Sequence, residues 1–325
     1  MSWALILDAG GQAGHGHLMR GFTIAEELQA LGREFFFVNT GSVLAQSVLQ
    51  RGYPLKPTNG LKEASVRIFD LSHLSDRKPW VQHLENAVTV SIDERGLLRD
   101  KVDFVVDPTA GEKVHRQLPQ CSQTRYLLGP SYALLRQGFG TAPRSTASGL
   151  IRQIAVCFGG SDPSGLAQAV IPRLVADAKG KRIDWLVGGD VEPDADLEAT
   201  LLKHGHQVHW NQDAQPILQQ ADLAVIGFGN LVMEAACLGL PAILINPSPA
   251  HRDLADEFAQ SFDVECYLNL GLPDDLTDGR LERALQRLES PNLRRTMSHS
   301  GQSVVDGKGV KRVIRAIDKF TGGDS

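Results

Sequence analysis

Residues 4–20 read ALILDAGGQAGHGHLMR, and this stretch decides the fold. An apolar run ends at Asp8, a glycine-rich turn follows, and an amphipathic helix is predicted to begin near His17. This order predicts a strand, a tight loop and a helix N-terminus. In an open α/β sheet, ligands bind beside such junctions at the carboxyl ends of the strands. The unpaired N–H groups at the helix start suit an anionic ligand.

The rest of the first half alternates strand-like and helix-like segments. Apolar residues at helical spacing predict a helix over residues 18–31, which Gly32 would end. Three later apolar runs each close with an aspartate, at Asp70, Asp93 and Asp107, and these runs are predicted to be strands. Strands that alternate with helices indicate βαβ units and a mostly parallel sheet.

A change of composition marks a domain boundary near the middle of the chain. Residues 138–149 read GFGTAPRSTASG, which is typical of a linker, and the strand–helix alternation restarts at Ile154. We therefore expect an N-terminal domain of residues 1–145 and a C-terminal domain of residues 146–325. We leave open that the last helix packs back on the first domain. The expected class is α/β, with two doubly wound Rossmann-like domains that face a central cleft.

Composition excludes several classes of protein. The 325 residues are 42% apolar and 22% charged, as in ordinary globular proteins, and the net charge of -5 argues against a nucleic-acid or membrane-surface binder. No apolar run is long enough to span a membrane, and the N-terminus does not resemble a signal peptide. The four scattered cysteines lack C-x-x-C spacing, so we expect reduced thiols in a cytoplasmic protein. No oligomer signature is visible, and a monomer is favoured.

His17 is the first candidate for chemistry, because imidazole moves protons near neutral pH. Its position between a strand and a helix favours a general base or acid over a capping or buried imidazole. His15 and His17 together suggest a metal, but no third ligand follows at a convincing spacing. We therefore expect no metal and no cofactor.

Aspartates after the predicted strands form a second group of candidates. Asp8, Asp70 and Asp93 would share the carboxyl edge of the sheet, where each could orient His17 or bind sugar hydroxyls. The alternative is a turn or a helix cap, where aspartate is common. We favour the alternative slightly for Asp70, and the two interpretations are balanced for Asp8 and Asp93.

Two glycine turns in the second half are candidate phosphate sites. Residues 227–230 (GFGN) open a helix directly after a strand, and their N–H groups suit a diphosphate, although Val232 breaks the G-x-G-x-x-G pattern. Glu234 lies one turn further on among apolar residues and suits ribose hydroxyls, or else an ion pair. Residues 159–163 (GGSDP) follow another strand, where the alternative is a plain turn with Asp162 as a helix cap.

Four stretches carry a resemblance to a known family. Residues 14–20 (GHGHLMR) resemble the signature G-x-G-H-x-M-R, and residues 127–136 (LLGPSYALLR) resemble the segment LLGPxYALLR. Residues 157–163 also fit the family, and residues 229–241 resemble the nucleotide-binding helix of the wider glycosyltransferase B superfamily. The chain is thus similar, from Asp8 to about Asp256, to the UDP-sugar hydrolases of pseudaminic acid biosynthesis (the PseG type) and their spore-coat polysaccharide relatives.

The resemblance implies a GT-B fold and a UDP-sugar as the small-molecule partner, with no nucleic acid and no stable membrane insertion. It implies that UDP binds the C-terminal domain, and that the histidine at position 17 activates a water. That water would attack the anomeric carbon with inversion and release UDP and a free deoxy-diacetamido sugar. The expected catalytic residues are His17 and Asp8. The expected substrate-binding residues are Gly14, Gly16, Arg20, Asp93, Gly160, Ser161, Gly227, Gly229, Asn230, Glu234 and His251.

Departures from the family pattern keep alternatives open. Ile6 stands where many relatives have a basic residue, and residues 70–73 (DLSH) and 250–253 (AHRD) also differ near the expected sugar. These departures leave the sugar and the activity open, and the sequence does not fix the nucleotide base or the oligomeric state. The alternatives are a GT-B glycosyltransferase with an acceptor hydroxyl in place of water, and a non-catalytic nucleotide-sugar binder. Residues 14–20 argue against an epimerase of the UDP-N-acetylglucosamine type.

Overall fold

Strands and helices alternate along the whole described chain. The computed structural model describes residues 1–8, 16–72, 75–93, 96–111, 123–142, 147, 149–160, 162, 164–189, 191–192, 194–277 and 279–322. The described strands are β1 (Ser2–Leu7), β2 (Glu34–Val38), β3 (Leu55–Lys56), β4 (Val66–Asp70), β5 (Val88–Ile92), β6 (Phe104–Asp107), β7 (Arg125–Leu128), β8 (Gln153–Cys157), β9 (Arg182–Val187), β10 (Gln207–Trp210), β11 (Leu223–Ile226), β12 (Ala242–Leu244) and β13 (Tyr267–Asn269).

Helices connect most of these strands. They are α1 (Gly16–Ala30), α2 (Ser42–Gln50), α3 (Lys78–Val81), α4 (Gln137–Thr141), α5 (Leu166–Asp177), α6 (Ala195–Lys203), α7 (Ala214–Gln220), α8 (Asn230–Leu238), α9 (Pro249–Phe262), α10 (Arg280–Leu288), α11 (Pro291–Val304) and α12 (Gly309–Phe320), with 3₁₀ turns at Thr58–Glu63, Pro130–Tyr132 and Pro273–Asp275. Among the described residues, no helix is both long enough and apolar enough to cross a membrane.

The chain packs as two units. The first comprises Met1–Gln137 together with Gly307–Ser325, and the second comprises Gly138–Asp306. The division therefore falls before the linker-like residues rather than at the expected 145/146 boundary. The C-terminal helix α12 packs within the first unit, where Val310, Ile314 and Ile317 join its core.

The first unit is built on a seven-stranded parallel sheet in the order β3-β2-β1-β4-β5-β6-β7. Strand β1 is buried on both faces, which accounts for its uninterrupted apolar sequence. On one face Trp3, Leu5 and Leu7 pack in the cluster that includes α1, and on the other Ala4 and Ile6 join a second cluster. The strand order reverses between β1 and β4, and ligands favour this point in doubly wound sheets.

The second unit repeats this architecture with six parallel strands in the order β10-β9-β8-β11-β12-β13. Its order reverses between β8 and β11. One core joins the strand residues Ile154, Ile183 and Val225 to apolar residues of helices α5, α6 and α10. Both units thus confirm the expected class of doubly wound Rossmann-like domains.

The segment at residues 127–136 fixes the C-terminal helix to the first unit. After β7, Gly129 adopts a φ of 88°, which turns the chain into the 3₁₀ turn Pro130–Tyr132. Helix α12 begins with Gly309 directly against this turn, and Arg312 Nη1 donates to the carbonyl oxygen of Ser131 at 2.8 Å. A Cβ atom at Gly309 would lie 2.1 Å from the carbonyl oxygen of Ala133, so only glycine fits.

We expect Gly309→Ser to lower the free energy of unfolding by about 1–3 kcal/mol, because the backbone must shift to admit the side chain. Gly41→Ser is the matched control, since a Cβ there meets nothing within 4 Å and serine is a good N-cap for α2. Urea unfolding of both variants checks the prediction. Equal stability of the two variants would contradict the packing described here.

Candidate active site

Four aspartates line one edge of the first sheet. Asp8 follows β1, Asp70 ends β4, Asp93 follows β5 and Asp107 ends β6, and these four strands are neighbours in the sheet. Since all strands are parallel, their carboxyl ends meet at the same edge. Helix α1 begins at this edge and carries His17 and Arg20, which lie three residues apart and so share a helix face.

His17 is held by Asp70 through a short hydrogen bond. The Nδ1 atom of His17 lies 2.5 Å from Oδ1 of Asp70, which is completely buried. At this distance from a carboxylate oxygen, Nδ1 must carry the proton and donate it. The proton on Nδ1 leaves Nε2 of a neutral His17 as an acceptor, and Nε2 contacts no hydrogen-bond partner among the described residues. The imidazole is therefore oriented to accept a proton at Nε2.

Arg20 joins the same carboxylate to a second one. Its Nε and Nη2 atoms donate to the two oxygens of Asp70 at 2.8 and 2.6 Å, a bidentate arrangement. Its Nη1 atom lies 2.7 Å from Oδ2 of Asp93. Burial lowers the pKa of Arg20, but the attraction of Asp70 and Asp93 outweighs it and raises that pKa above its ordinary value. Arg20 is therefore a fixed cation between two carboxylates.

Asp70 remains ionised although it is buried. Burial alone would raise the pKa of Asp70, yet the charges and hydrogen bonds of Arg20 and His17 hold it well below the ordinary value. A buried carboxylate is tolerated only with such partners. Asp70 therefore keeps a permanent negative charge beside the imidazole, which stabilises that ring when it becomes protonated.

Asp93 differs from Asp70 in exposure and in backbone conformation. Its φ of 51° lies in the left-handed region, which aspartate adopts more readily than most residues. About one third of its side chain is accessible. Burial, together with Asp107 and Asp70, raises the pKa of Asp93 to about 6, although Arg20 and His17 act in the opposite direction. Its carboxyl therefore titrates closer to neutral pH than an ordinary aspartate does.

Asp8 serves the loop that follows β4. Its Oδ2 atom accepts hydrogen bonds from the backbone N–H of Ser72 at 2.6 Å and from the hydroxyl of Ser75 at 2.5 Å. The residue that orients His17 is Asp70, so the structure corrects the slight preference for a turn role at Asp70. The strand order supplies the signal that was missing, since β4 is the neighbour of β1 and its last residue faces the start of α1.

The second unit presents two glycine turns at its own point of strand reversal. Cys157 and Ile226 are paired in register, so the turns after β8 and β11 begin side by side. Gly229 has a φ of 152°, and no side chain caps the start of α8 at Asn230. Its first N–H groups therefore suit an anion. A Cβ atom at Gly227 would make only ordinary van der Waals contacts, of which the shortest is 3.7 Å to the carbonyl oxygen of Ile245.

Gly160 lies in the turn after β8. A Cβ atom at Gly188 would lie 2.2 Å from the carbonyl oxygen of Gly160, so the two backbones are in direct contact. The carboxylate of Asp162 accepts from the N–H groups of Leu166 and Ala167 at 2.9 and 2.8 Å and so caps α5. The alternative interpretation of this turn holds in part, since Asp162 accepts from the first N–H groups of α5, but the N-cap residue is Gly165 and the helix begins at Leu166.

Of the other expected binding residues, Glu234 and His251 belong to the second unit and Gly16 to the first. Glu234 is half-buried on α8 and lies near Cys157, whose thiol pKa is raised to about 11, first by burial and also by Glu234. His251 lies in the first turn of α9, and its Nδ1 atom is 2.8 Å from the hydroxyl of the N-cap residue Ser248. Gly16 is exposed at the start of α1. Gly14 and Ser161 lie outside the described residues.

Comparison with solved structures identifies the class. The chain superimposes on MurG of Acinetobacter baumannii with a TM-score of 0.66 at 14% identity, over 98% of this chain and all of that one. It matches TcCGT1, solved in complex with UDP, with a TM-score of 0.63 at 12% identity over 99% of each chain. These likenesses, together with the two parallel sheets, show that the protein has the GT-B fold.

Comparison by sequence identifies a particular relative. The chain is 26% identical over 336 residues to the spore coat polysaccharide biosynthesis protein SpsG of Bacillus subtilis, and the match covers 98% of both chains. This finding confirms the resemblance to the spore-coat polysaccharide proteins. No protein-family model matches the chain.

We expect Asp70→Asn to lower the free energy of unfolding at pH 7 by about 3 kcal/mol, because it leaves the buried Arg20 without its main counter-ion. Since folding lowers the pKa of Asp70, its contribution is complete above about pH 4 and is lost as the pH falls further. The difference between variant and wild type should therefore shrink towards pH 2–3 (about one unit or more below the ordinary aspartate pKa).

Urea unfolding at several pH values measures this difference. Asp253→Asn is the control, since Asp253 is exposed and pairs only with its neighbour Arg252 within the described structure. The control should change stability by less than about 0.5 kcal/mol. A difference that stays constant with pH would show that the charge of Asp70 does not stabilise the fold.

Proposed function

We propose that the protein hydrolyses a UDP-sugar and releases UDP and the free sugar. The observation that carries this proposal is the hydrogen bond between Nδ1 of His17 and Asp70, which leaves Nε2 to accept a proton. A histidine held in this way by a buried carboxylate is suited to general-base catalysis. The whole-length similarity to a protein of spore coat polysaccharide biosynthesis supports a nucleotide-sugar substrate.

In the proposed reaction, Nε2 of His17 removes a proton from water as its oxygen attacks the anomeric carbon. The bond between that carbon and the diphosphate oxygen breaks, and the electron pair leaves with UDP. Attack from the face opposite the leaving group inverts the anomeric centre. The buried charge of Asp70 stabilises the imidazolium that forms.

We propose that the second unit binds the nucleotide. The uncapped start of α8 would hold the diphosphate through backbone N–H groups of residues 229–231, and Glu234 would bind the ribose. Gly160, which lies in the neighbouring turn, remains a proposed contact of the nucleotide sugar, as do Ser161 and His251. UDP is a good leaving group once these N–H groups stabilise its charge, so a base and a positioned water suffice for the reaction.

We propose a deoxy-diacetamido sugar of the pseudaminic type, or a related surface sugar, as the glycosyl group. In the first unit, Asp8, Gly14, Gly16, Arg20 and Asp93 are the residues proposed to act near it. A glycosyltransferase is the alternative, because the same Nε2 atom can deprotonate an acceptor hydroxyl as well as water. This alternative is favoured by the fold shared with MurG and TcCGT1.

We expect His17→Ala to reduce sugar release by at least about 100-fold, because water then has no general base. Binding of UDP should change less than about twofold, since the nucleotide contacts are not altered. His204→Gln is the control and should keep wild-type activity, because His204 is exposed at the end of α6. NMR and mass spectrometry of the products from a panel of UDP- and CMP-activated deoxyaminosugars measure both effects.

The products decide between the alternatives. Free sugar and UDP, formed only when His17 is present, would support hydrolysis. A nucleotide sugar that binds but survives in water would contradict it. Turnover that then begins on addition of an acceptor alcohol would identify a transferase, and no turnover with any acceptor would leave a binding protein.

We expect Gly229→Ala to weaken UDP binding by about tenfold, a loss of about 1.4 kcal/mol, because an alanine cannot readily adopt this φ at the phosphate turn. Gly32→Ala is the matched control, since Gly32 also has a positive φ and open space around it but lies after α1. Isothermal titration calorimetry with UDP compares the two variants. Equal losses would argue against a phosphate site at the start of α8.

A further inference from the structure

Four side chains of the first unit form one continuous chain of contacts. His17 bonds to Asp70, Asp70 bonds to Arg20, and Arg20 bonds to Asp93, with no separation longer than 2.8 Å. The two inner members are the less exposed ones, with side-chain exposures of 0% for Asp70 and 11% for Arg20. The two ends are more accessible, at 16% for His17 and 34% for Asp93. The base at one end is thus connected through buried charges to an accessible carboxylate at the other.

We propose that Asp93 is a positioning residue that sets the basicity of His17 through Arg20. This inference rests on the proposed role of His17 as the general base. It assigns to Asp93 an effect on proton transfer, in addition to any contact with the sugar.

The sharing of Arg20 between two carboxylates gives the physical reason. When Asp93 is ionised, the guanidinium divides its attraction between Asp93 and Asp70. More of the negative charge of Asp70 then acts on the imidazole, which favours the protonated form of His17. When Asp93 is neutral, Arg20 is attracted to Asp70 alone, so less of the negative charge of Asp70 acts on the imidazole, and the guanidinium Nη2 lies 3.0 Å from Nδ1 of His17. Loss of the charge at Asp93 should therefore make His17 a weaker base.

Other charged groups lie at the same edge of the first sheet as these four side chains. Asp107 contributes to the raised pKa of Asp93, while its own carboxylate accepts bonds from Thr109 and Ala110 at the end of β6. Asp8 bonds to the loop after β4, and Arg77 donates to carbonyl oxygens of that same loop. The side chains of Asp107 and Asp8 therefore have structural partners of their own. Asp93, by contrast, pairs directly with Arg20 at 2.7 Å.

The first experiment follows the imidazole of His17 by NMR in the ligand-free protein across pH 4–9 (a window that spans the ordinary histidine pKa of about 6.5). We expect Asp93→Asn to move the titration midpoint of His17 to lower pH by about half a unit to one unit. Asp103→Asn is the matched control in the same unit. Asp103 precedes β6 and accepts from the N–H and hydroxyl groups of Thr89, so it lies outside this chain of contacts. No shift in Asp93→Asn, or an equal shift in the control, would overturn the proposal.

The second experiment tests whether the effect passes through Arg20. Arg20→Lys keeps the positive charge but loses the planar fork that bonds two carboxylates at once. In this background, we expect Asp93→Asn to shift the midpoint by less than half of its effect in the wild type. A full shift in the Arg20→Lys background would show that Asp93 acts directly through space, which would overturn the role assigned to Arg20.

Activity measurements separate this inference from the proposed function. With a substrate that turns over, the acid limb of the kcat/KM profile should move to lower pH in Asp93→Asn, in parallel with the NMR midpoint. A protein that turns over no nucleotide sugar but shows the NMR shift would refute the proposed hydrolysis and leave the coupling intact. If the protein is active but Asp93→Asn moves neither the acid limb of the kcat/KM profile nor the NMR midpoint of His17, the coupling between Asp93 and His17 is refuted and the proposed hydrolysis stands.

Discussion

The buried carboxylate of Asp70 is the constraint on which the candidate active site depends. It is completely inaccessible, so its charge must be satisfied by protein groups, and Arg20 and His17 supply the required donors. These bonds restrict the rotamers of both side chains on the first turns of α1. The same interaction therefore stabilises the junction of β1, β4 and α1 and fixes the tautomer of the imidazole. Stability and chemistry at this edge have one origin.

The two sheets make different contributions although their topology is the same. At the reversal point of the first sheet, charged side chains dominate, with carboxylates grouped around one guanidinium and one imidazole. At the reversal point of the second sheet, backbone dominates, since Gly160 lies against the backbone of Gly188, the turn at Gly229 has open space around it, and α8 starts without a side-chain cap. The first arrangement suits proton transfer, and the second suits the binding of an anion.

Much of the fold could be predicted from the sequence because local patterns determine it. The apolar runs that end in Asp70, Asp93 and Asp107 are strands, and the helical spacing after His17 is α1. Which of the three aspartates Asp8, Asp70 and Asp93 pairs with His17 could not be predicted, since it depends on which strands are neighbours. Asp8 is close to His17 in sequence, whereas Asp70 is brought beside it only by the pairing of β1 with β4. A residue's role that depends on the order of strands in a sheet cannot be predicted from a local sequence pattern.

The packing of α12 has a consequence for the order in which the chain can fold. Arg33 near the end of α1 pairs with Asp318 in α12 at 3.1 Å, and these residues lie 285 positions apart. The second unit, by contrast, is one continuous segment that is complete before α12 is synthesised. The first unit begins earlier on the ribosome but must wait for the end of the chain to close its core over Val310, Ile314 and Ile317. The unit that carries the proposed base is thus the last to be finished, and a nascent or truncated chain would hold the second unit, the proposed nucleotide-binding one, without a completed first unit.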